Sequence, residues 1–214
     1  MSDRTKHKEL VYEAIVEGNR EEIKQLVQTA IDEDIPPEEL LNQSMIIAMS
    51  EVGRLYECSD YFVPEMLLSA KTMEEGLEVL EPHLAGVNVQ PVGKVVAGTI
   101  QGDLHDIGKN IVCLMLKGAG FEVHDLGVDV SPDRFISGVK KNEADLIAVS
   151  ALLTTTMVNM ISLIEALKKA GIRENVKVIV GGAPVTDEYA QKIGADGFAV
   201  DASRAVKVAK SLVM

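Results

Sequence analysis

Cysteine is almost missing from this chain: its 214 residues include only Cys58 and Cys113, in unrelated segments. Two isolated thiols make neither a disulfide framework nor a Cys-rich zinc centre, and they fit a reducing compartment. Clustered cations are missing too. There are 21 Lys and Arg against 33 Asp and Glu, a formal charge of −12, and the acidic excess reads as spread along the chain without a tail-like block. Phosphate binding needs grouped Lys and Arg, so nucleic acid is excluded as a partner and the charge is read as a solubility feature. Long apolar runs are also absent. The start, MSDRTKHKELVYEAIVEGNREE, has no signal-peptide core, and no stretch approaches a membrane span. A cytoplasmic protein with no membrane partner is expected. No internal repeat or low-complexity segment occurs. At 47% hydrophobic and 25% charged residues, the composition is that of a globular chain, with length enough for two small domains.

The N-terminal part reads as helix after helix. Around residues 5–17, Leu10, Val11, Ala14 and Ile15 fall on one side. Over 20–33, Ile23, Leu26, Val27, Ala30 and Ile31 form a stripe, and Asn19 with Glu22 resembles a capping box. Pro37 suits the first turn of a third helix carrying Leu41, Met45, Ala48, Val52 and Leu55. A fourth starts at Pro64 with Met66, Ala70, Met73, Leu77 and Leu80. This spacing is the seam of nearly antiparallel helices and predicts a four-helix bundle. The segment GVNVQPVG, residues 86–93, breaks the pattern and places a boundary between a bundle over 1–88 and a second domain over 89–214.

After that boundary, short apolar runs alternate with amphipathic stretches. The runs are Lys94–Ile100, Phe121–Leu126, Asp145–Ser150, Lys177–Val180 and Gly197–Val200. Such alternation predicts a Rossmann-like, doubly wound α/β domain around a parallel sheet. Ligands bind such domains beyond the carboxyl ends of the strands, which selects the loops 101–108, 150–156 and 181–186.

The first loop reads Gly102-Asp103-Leu104-His105-Asp106-Ile107-Gly108. An Asp two residues from a His can hold one imidazole nitrogen while the other faces a ligand or metal, and Gly108 would let the chain turn into its helix. Taken alone, each residue has a plainer explanation: the Asp can cap a helix, and the His can be a solvated loop residue. The second loop carries Ser150, Leu152, Thr154, Thr155 and Thr156; the third carries Gly181, Gly182, Ala183 and Pro184. Their own plain readings are helix caps and a glycine turn. Together they give D-x-H-x-x-G, then S-x-L after 41 residues, then G-G after a further 28.

That pattern, and the stretch GDLHDIGKNIV above all, resembles the cobalamin-binding domain shared by cobalamin-dependent methionine synthase and the corrinoid proteins of methyltransferase systems. Phe62-Val63-Pro64-Glu65 resembles the start of the last bundle helix in that family, so the resemblance covers nearly the whole chain. It implies a cobalamin or related corrinoid held base-off and His-on. His105 would be the axial metal ligand in place of the cofactor's benzimidazole, with Asp103 as its hydrogen-bonded partner and Thr156 extending the relay. The family often has serine at that last position, and the hydroxyl is kept. Gly102, Asp106, Ile107, Gly108 and Leu152 are implied cofactor contacts. Ser150 and Thr154 would touch the buried benzimidazole tail, and Gly181 and Gly182 would line its slot, where a side chain would collide with the nucleotide. Phe62 and Met66 are candidates for the reactive upper face, with ordinary bundle core as the competing reading.

The resemblance further implies a methyl carrier with no complete turnover of its own and no catalytic side chain. The cobalt would accept a methyl group as Co(I) and deliver it from methyl-Co(III), the chemistry belonging to the cofactor. The implied partners are a substrate:corrinoid methyltransferase, a corrinoid:coenzyme M or corrinoid:tetrahydrofolate methyltransferase, and a reductive activase. SALLTTTM with GGAPVTDEYAQKIGAD resembles corrinoid proteins for methylamines and related quaternary amines, while methanol and methoxyaromatic donors stay open. Two alternatives share D-x-H-x-x-G. The small subunit of an adenosylcobalamin mutase as a rule lacks an N-terminal bundle. A cobalamin-dependent sensor would need a DNA-binding module and a basic recognition surface.

Overall fold

The structure, a computed structural model, describes residues 3–84 and 90–214. The chain divides into two compact units, Met1–Gln90 and Pro91–Met214. The expected boundary between 88 and 89 lies outside the described residues. The expected linker runs too far, however: Val92 already donates its N–H to the Gly120 carbonyl (3.0 Å) and packs on the second unit's core.

The first unit is helical. It comprises α1 (Asp3–Glu17), α2 (Ile23–Asp32), α3 (Pro37–Leu40), a π-helical turn (Leu41–Met45), α4 (Ile46–Glu57) and α5 (Val63–Leu84). Because α3, the π turn and α4 are continuous, four rods pack together, with α1 against α2, α4 and α5. The apolar stripes face inward: Val11, Ala14 and Ile15 from α1, Ile23, Val27 and Ala30 from α2, and Met66, Ala70, Met73 and Leu80 from α5 are all buried. Ser69 Oγ and Tyr61 Oη both donate to the Val16 carbonyl (2.9 and 3.0 Å), closing the end of α1.

Two local expectations are corrected in this unit. The capping box at Asn19 does not form. Its amide donates to Glu22 Oε2 at 2.7 Å, and α2 begins one residue later without a side-chain cap. The third helix is interrupted by the π turn, whose wider winding shifts the buried stripe. Leu40, Ser44, Met45, Ala48, Met49 and Val52 are buried, whereas Leu41 and Leu55 are only partly so.

The second unit contains β1 (Lys94–Thr99), α6 (Ile107–Gly118), β2 (Glu122–Asp125), α7 (Pro132–Asn142), β3 (Leu146–Ser150), α8 (Thr154–Met157), α9 (Asn159–Lys169), β4 (Lys177–Gly181), α10 (Asp187–Ile193), β5 (Gly197–Ala199) and α11 (Ala202–Val213). All five expected strands are present. They form one parallel sheet in the order β2-β1-β3-β4-β5. Alternate residues feed two cores. Val96, Ile147 and Val178 pack with Phe135, Leu163 and Leu167 on one face; Val95, Leu146 and Ile179 pack with Leu116, Ala205 and Ala209 on the other. From β1 the chain passes to β2 on one side and then crosses to β3 on the other. The topological switch point therefore lies between β1 and β3, where such sheets bind ligands.

Charge separates along this division. Residues 1–90 hold 19 acidic and 7 basic side chains, residues 91–214 hold 14 of each, so the whole net charge of −12 belongs to the helical unit. The acidic excess is therefore not spread along the chain as expected. Among the described residues no helix is long and apolar enough to cross a membrane.

Candidate functional site

At the switch point, β1 ends in a β-turn over Ile100–Asp103, closed by the Asp103 N–H on the Ile100 carbonyl (3.1 Å), with Gly102 in the left-handed region at φ +86°. A positive φ at the third position is the mark of a type II turn. The turn aims Asp103 inward, where it is fully buried, while Leu104, His105, Asp106 and Ile107 stay at the surface.

The Asp103 carboxylate is bonded through both oxygens. Oδ1 lies 2.7 Å from His105 Nδ1 and accepts the His105 N–H at 3.1 Å. Oδ2 accepts from the Thr156 hydroxyl at 2.6 Å and from the Leu152 and Leu153 N–H groups at 2.8 and 3.3 Å. Burial alone would raise the pKa of this carboxyl. Donation from Thr156, His105 and the main chain outweighs burial and holds the group well below the usual carboxylate range. An ionised carboxylate can only accept, so it fixes a proton on Nδ1 and orients the ring. The ring is half-exposed, 52% for the side chain, and Nε2 has no hydrogen-bond partner among the described residues. Thr99 Oγ1 donates to the His105 carbonyl at 2.8 Å and ties the loop back to β1.

This arrangement suits a metal ligand: an oriented imidazole nitrogen presented at a surface by a buried anion. The surrounding surface suits a large apolar ring. Leu104, Ile107, Leu152 and Leu153 are all well exposed (71, 78, 44 and 43%). They lie on the two loops that meet at Asp103, and exposed large apolar side chains brought together offer a surface of that kind. Gly108 stands beside them on α6, and a Cβ there would meet nothing within 4 Å. Across the carboxyl edge of the sheet, Thr99, Ser150 and Gly181 pair in one row, with Ala199 beside Gly181. Thr154 is exposed at the start of α8.

Several expected roles change in detail. Gly108 does not make the tight turn, since it lies inside the first turn of α6 and the left-handed glycine is Gly102. A side chain at Gly181 or Gly182 would collide first with the chain itself. A Cβ on Gly181 would stand 2.8 Å from the Ala199 carbonyl oxygen, and one on Gly182 (φ +114°) would stand 1.9 Å from that of Ala151. Asp106 occupies the N-cap position of α6 without capping it, its carboxylate accepting instead from Asn110 Nδ2 at 3.1 Å. In the helical unit Met66 is buried core, whereas Phe62 is 63% exposed.

Sequence reasoning passed over Thr99, Leu104 and Leu153, as well as Lys109, which is buried in an ion pair with Asp125. A lysine in the first turn of an amphipathic helix ordinarily reads as solvated, so no signal marked it.

The fold and this loop define a class: a helical unit followed by an α/β domain that presents a carboxylate-held histidine at its switch point. The comparisons with known proteins agree. Residues 93–207 match the family described as B12 binding domain, and residues 8–81 match a second family of the same description. Dimethylamine corrinoid protein 3 of Methanosarcina acetivorans is 44% identical over 95% of both chains, and trimethylamine corrinoid protein 1 of that organism is 42% identical over 94% of both. The solved methanol:cobalamin methyltransferase complex of Methanosarcina barkeri contains a chain that is 30% identical with a TM-score of 0.88, covering 100% of this chain and 81% of that one. The chain belongs to the B12-binding family of corrinoid proteins.

Proposed function

We propose that this protein is a corrinoid-dependent methyl carrier in which His105 is the axial ligand, base-off and His-on. The observation that carries the reading is the Thr156–Asp103–His105 chain of hydrogen bonds, ending in an unpartnered Nε2 amid exposed apolar side chains. When bound, the corrinoid supplies a cobalt that accepts a methyl group and gives it up again. The protein's residues orient and hold. Asp103 keeps the proton on Nδ1 and the ring in one orientation, which leaves Nε2 as the nitrogen for the metal. Thr156 and the Leu152 N–H hold Asp103 itself. Leu104, Ile107, Leu152 and Leu153 offer an apolar rest for the ring and exclude water from it. Gly108 leaves room for close approach, and Gly102 sets the turn. Ser150, Thr154, Gly181 and Gly182, at the carboxyl edge of the sheet, are the proposed surroundings of the cofactor's displaced tail, with the α/β domain (89–214) carrying the cofactor and the helical domain (1–88) preceding it.

A methylated amine is the donor that the relatives' names favour. The methyl group would enter through a substrate:corrinoid methyltransferase, the kind of assembly named for the Methanosarcina barkeri structure. It would leave through a coenzyme M or tetrahydrofolate methyltransferase, with a reductive activase restoring the carrier. Reconstituted protein in the Co(II) state should display one axial nitrogen in its electron paramagnetic resonance spectrum, and nitrogen-15 histidine should change the splitting. If labelling the cofactor's benzimidazole changes it instead, the His-on reading fails.

A further inference from the structure

The loop that carries His105 has little packing of its own. From Leu104 to Ile107 every side chain is exposed, and only Asp103 before them is buried. What holds such a loop must act on its backbone; besides Thr99, which holds the His105 carbonyl, two side chains outside the motif do so. Asp129, between β2 and α7, accepts the Gly102 N–H on Oδ1 at 2.7 Å, and its own N–H donates to the Asp103 carbonyl at 3.0 Å. Asn159, at the start of α9, donates through Nδ2 to the Gln101 carbonyl at 2.8 Å. The Gln101 carbonyl and the Gly102 N–H are the two ends of one peptide group, the central peptide of the Ile100–Asp103 turn. Turning that peptide over is what distinguishes a type II turn from a type I turn. The flipped state would aim the carbonyl at the Asp129 carboxylate, which can only accept, and would leave Asn159 without its acceptor. Asp129 itself is held at φ +50°, a conformation that Asn and Gly also tolerate but most residues do not.

We propose that Asp129 and Asn159 are positioning residues that clamp the Gln101–Gly102 peptide in one orientation and so set where His105 stands. The clamp rests on the reading of His105 as the cobalt ligand only for its purpose; its existence can be tested on the cofactor-free chain. Among the described residues neither side chain hydrogen-bonds to His105, so the clamp acts through the geometry of the turn.

The test uses the full chain with Asp129→Gly, Asp129→Asn and Asn159→Ala. Gly relieves the left-handed backbone yet removes the acceptor, so it separates the hydrogen bond from conformational strain. Asn keeps both an acceptor oxygen and tolerance of positive φ. In nuclear magnetic resonance on cofactor-free protein, the Gly102 amide should exchange about 10-fold faster or more in Asp129→Gly and stay close to wild type in Asp129→Asn. The His105 ring-proton resonances should shift in both Asp129→Gly and Asn159→Ala. After reconstitution, those two variants should retain cobalamin but lose part of the histidine splitting on Co(II). Unchanged exchange and ring resonances in Asp129→Gly and Asn159→Ala would overturn the clamp. Faster exchange with unmoved His105 resonances and undiminished histidine splitting would overturn its positioning role. A wild-type protein with no histidine nitrogen on cobalt would instead overturn the ligand reading, and the exchange rates would still decide whether the clamp exists.

Discussion

Asp103 joins two opposing effects in one side chain: complete burial, which disfavours charge, and five hydrogen bonds, which favour it. The bonds prevail, so its folded pKa lies below its unfolded one. A depressed carboxyl contributes stability that is fully present above the unfolded value, about 3.9, and is lost as pH falls towards the folded one. Asp103→Asn should therefore cost stability at pH 7, and its difference from wild type should shrink on acidification through the carboxylate range. Urea unfolding at pH 7 and at about pH 3 checks this; equal differences at both would remove Asp103 from the linkage. In the reconstituted protein the same substitution should leave cobalamin bound but make His105 a poorer donor, by about 10–100-fold in ligand affinity. Thr156→Val, which deletes the hydroxyl on a buried carboxylate, should cost about 1.5–3 kcal/mol, whereas Thr156→Ser should cost much less. Denaturation midpoints of the two variants, measured side by side, decide whether the hydroxyl or the methyl group matters.

At the scale of the elements, glycines that look alike in sequence separate into two kinds. Gly182 is demanded by the chain's own path, since a Cβ would press into the Ala151 carbonyl on a left-handed backbone. Gly108 faces open space in the first turn of α6. Gly182→Ala should destabilise the cofactor-free protein by at least about 2 kcal/mol. Gly108→Ala should leave its stability unchanged or raise it by up to about 1 kcal/mol, as alanine does in helices, while weakening cobalamin binding. Thermal unfolding of both apo variants, with cofactor titration of the second, would expose an error if Gly108→Ala bound normally. This pair also marks how far the sequence was legible. The five strands could be read because each is a short apolar run between turn residues, and α1, α2 and α5 because their stripes keep helical period. The site loops followed from strand ends, and the Asp103–His105 contact from a spacing of two. What could not be read depends on residues brought together from afar. Asp129 meets Gly102 across 27 positions and Asn159 meets Gln101 across 58. The π turn at Leu41–Met45 has no Gly or Pro to announce it.

For the molecule as a whole, the site and the charge belong to different units. Among the described residues, the hydrogen bonds that shape the His105 loop come from residues between Thr99 and Asn159, and the two apolar cores of the α/β unit are built from that unit's own strands and helices. The helical unit holds the net charge of −12, and five of its seven cations are already in ion pairs: Lys8–Glu39, Arg20–Glu75, Lys24–Glu78, Arg54–Glu51 and Lys71–Glu74. Pairs near the surface are worth only about 0–1 kcal/mol each, and an acidic surplus of this size favours solubility. A fragment of residues 91–214 should consequently fold and take up cobalamin with the same histidine splitting on Co(II) as the full chain. With 14 charges of each sign, it should pass an anion exchanger that retains the full chain, and it should precipitate more readily near neutral pH. Circular dichroism, cofactor titration and ion-exchange elution of the fragment measure all three. A fragment that folds but binds no cobalamin would mean that the helical unit supplies part of the primary site. One that binds cobalamin yet lacks the histidine splitting would mean that the geometry around Asp103, although built within one unit, is not sufficient to bring His105 onto the metal.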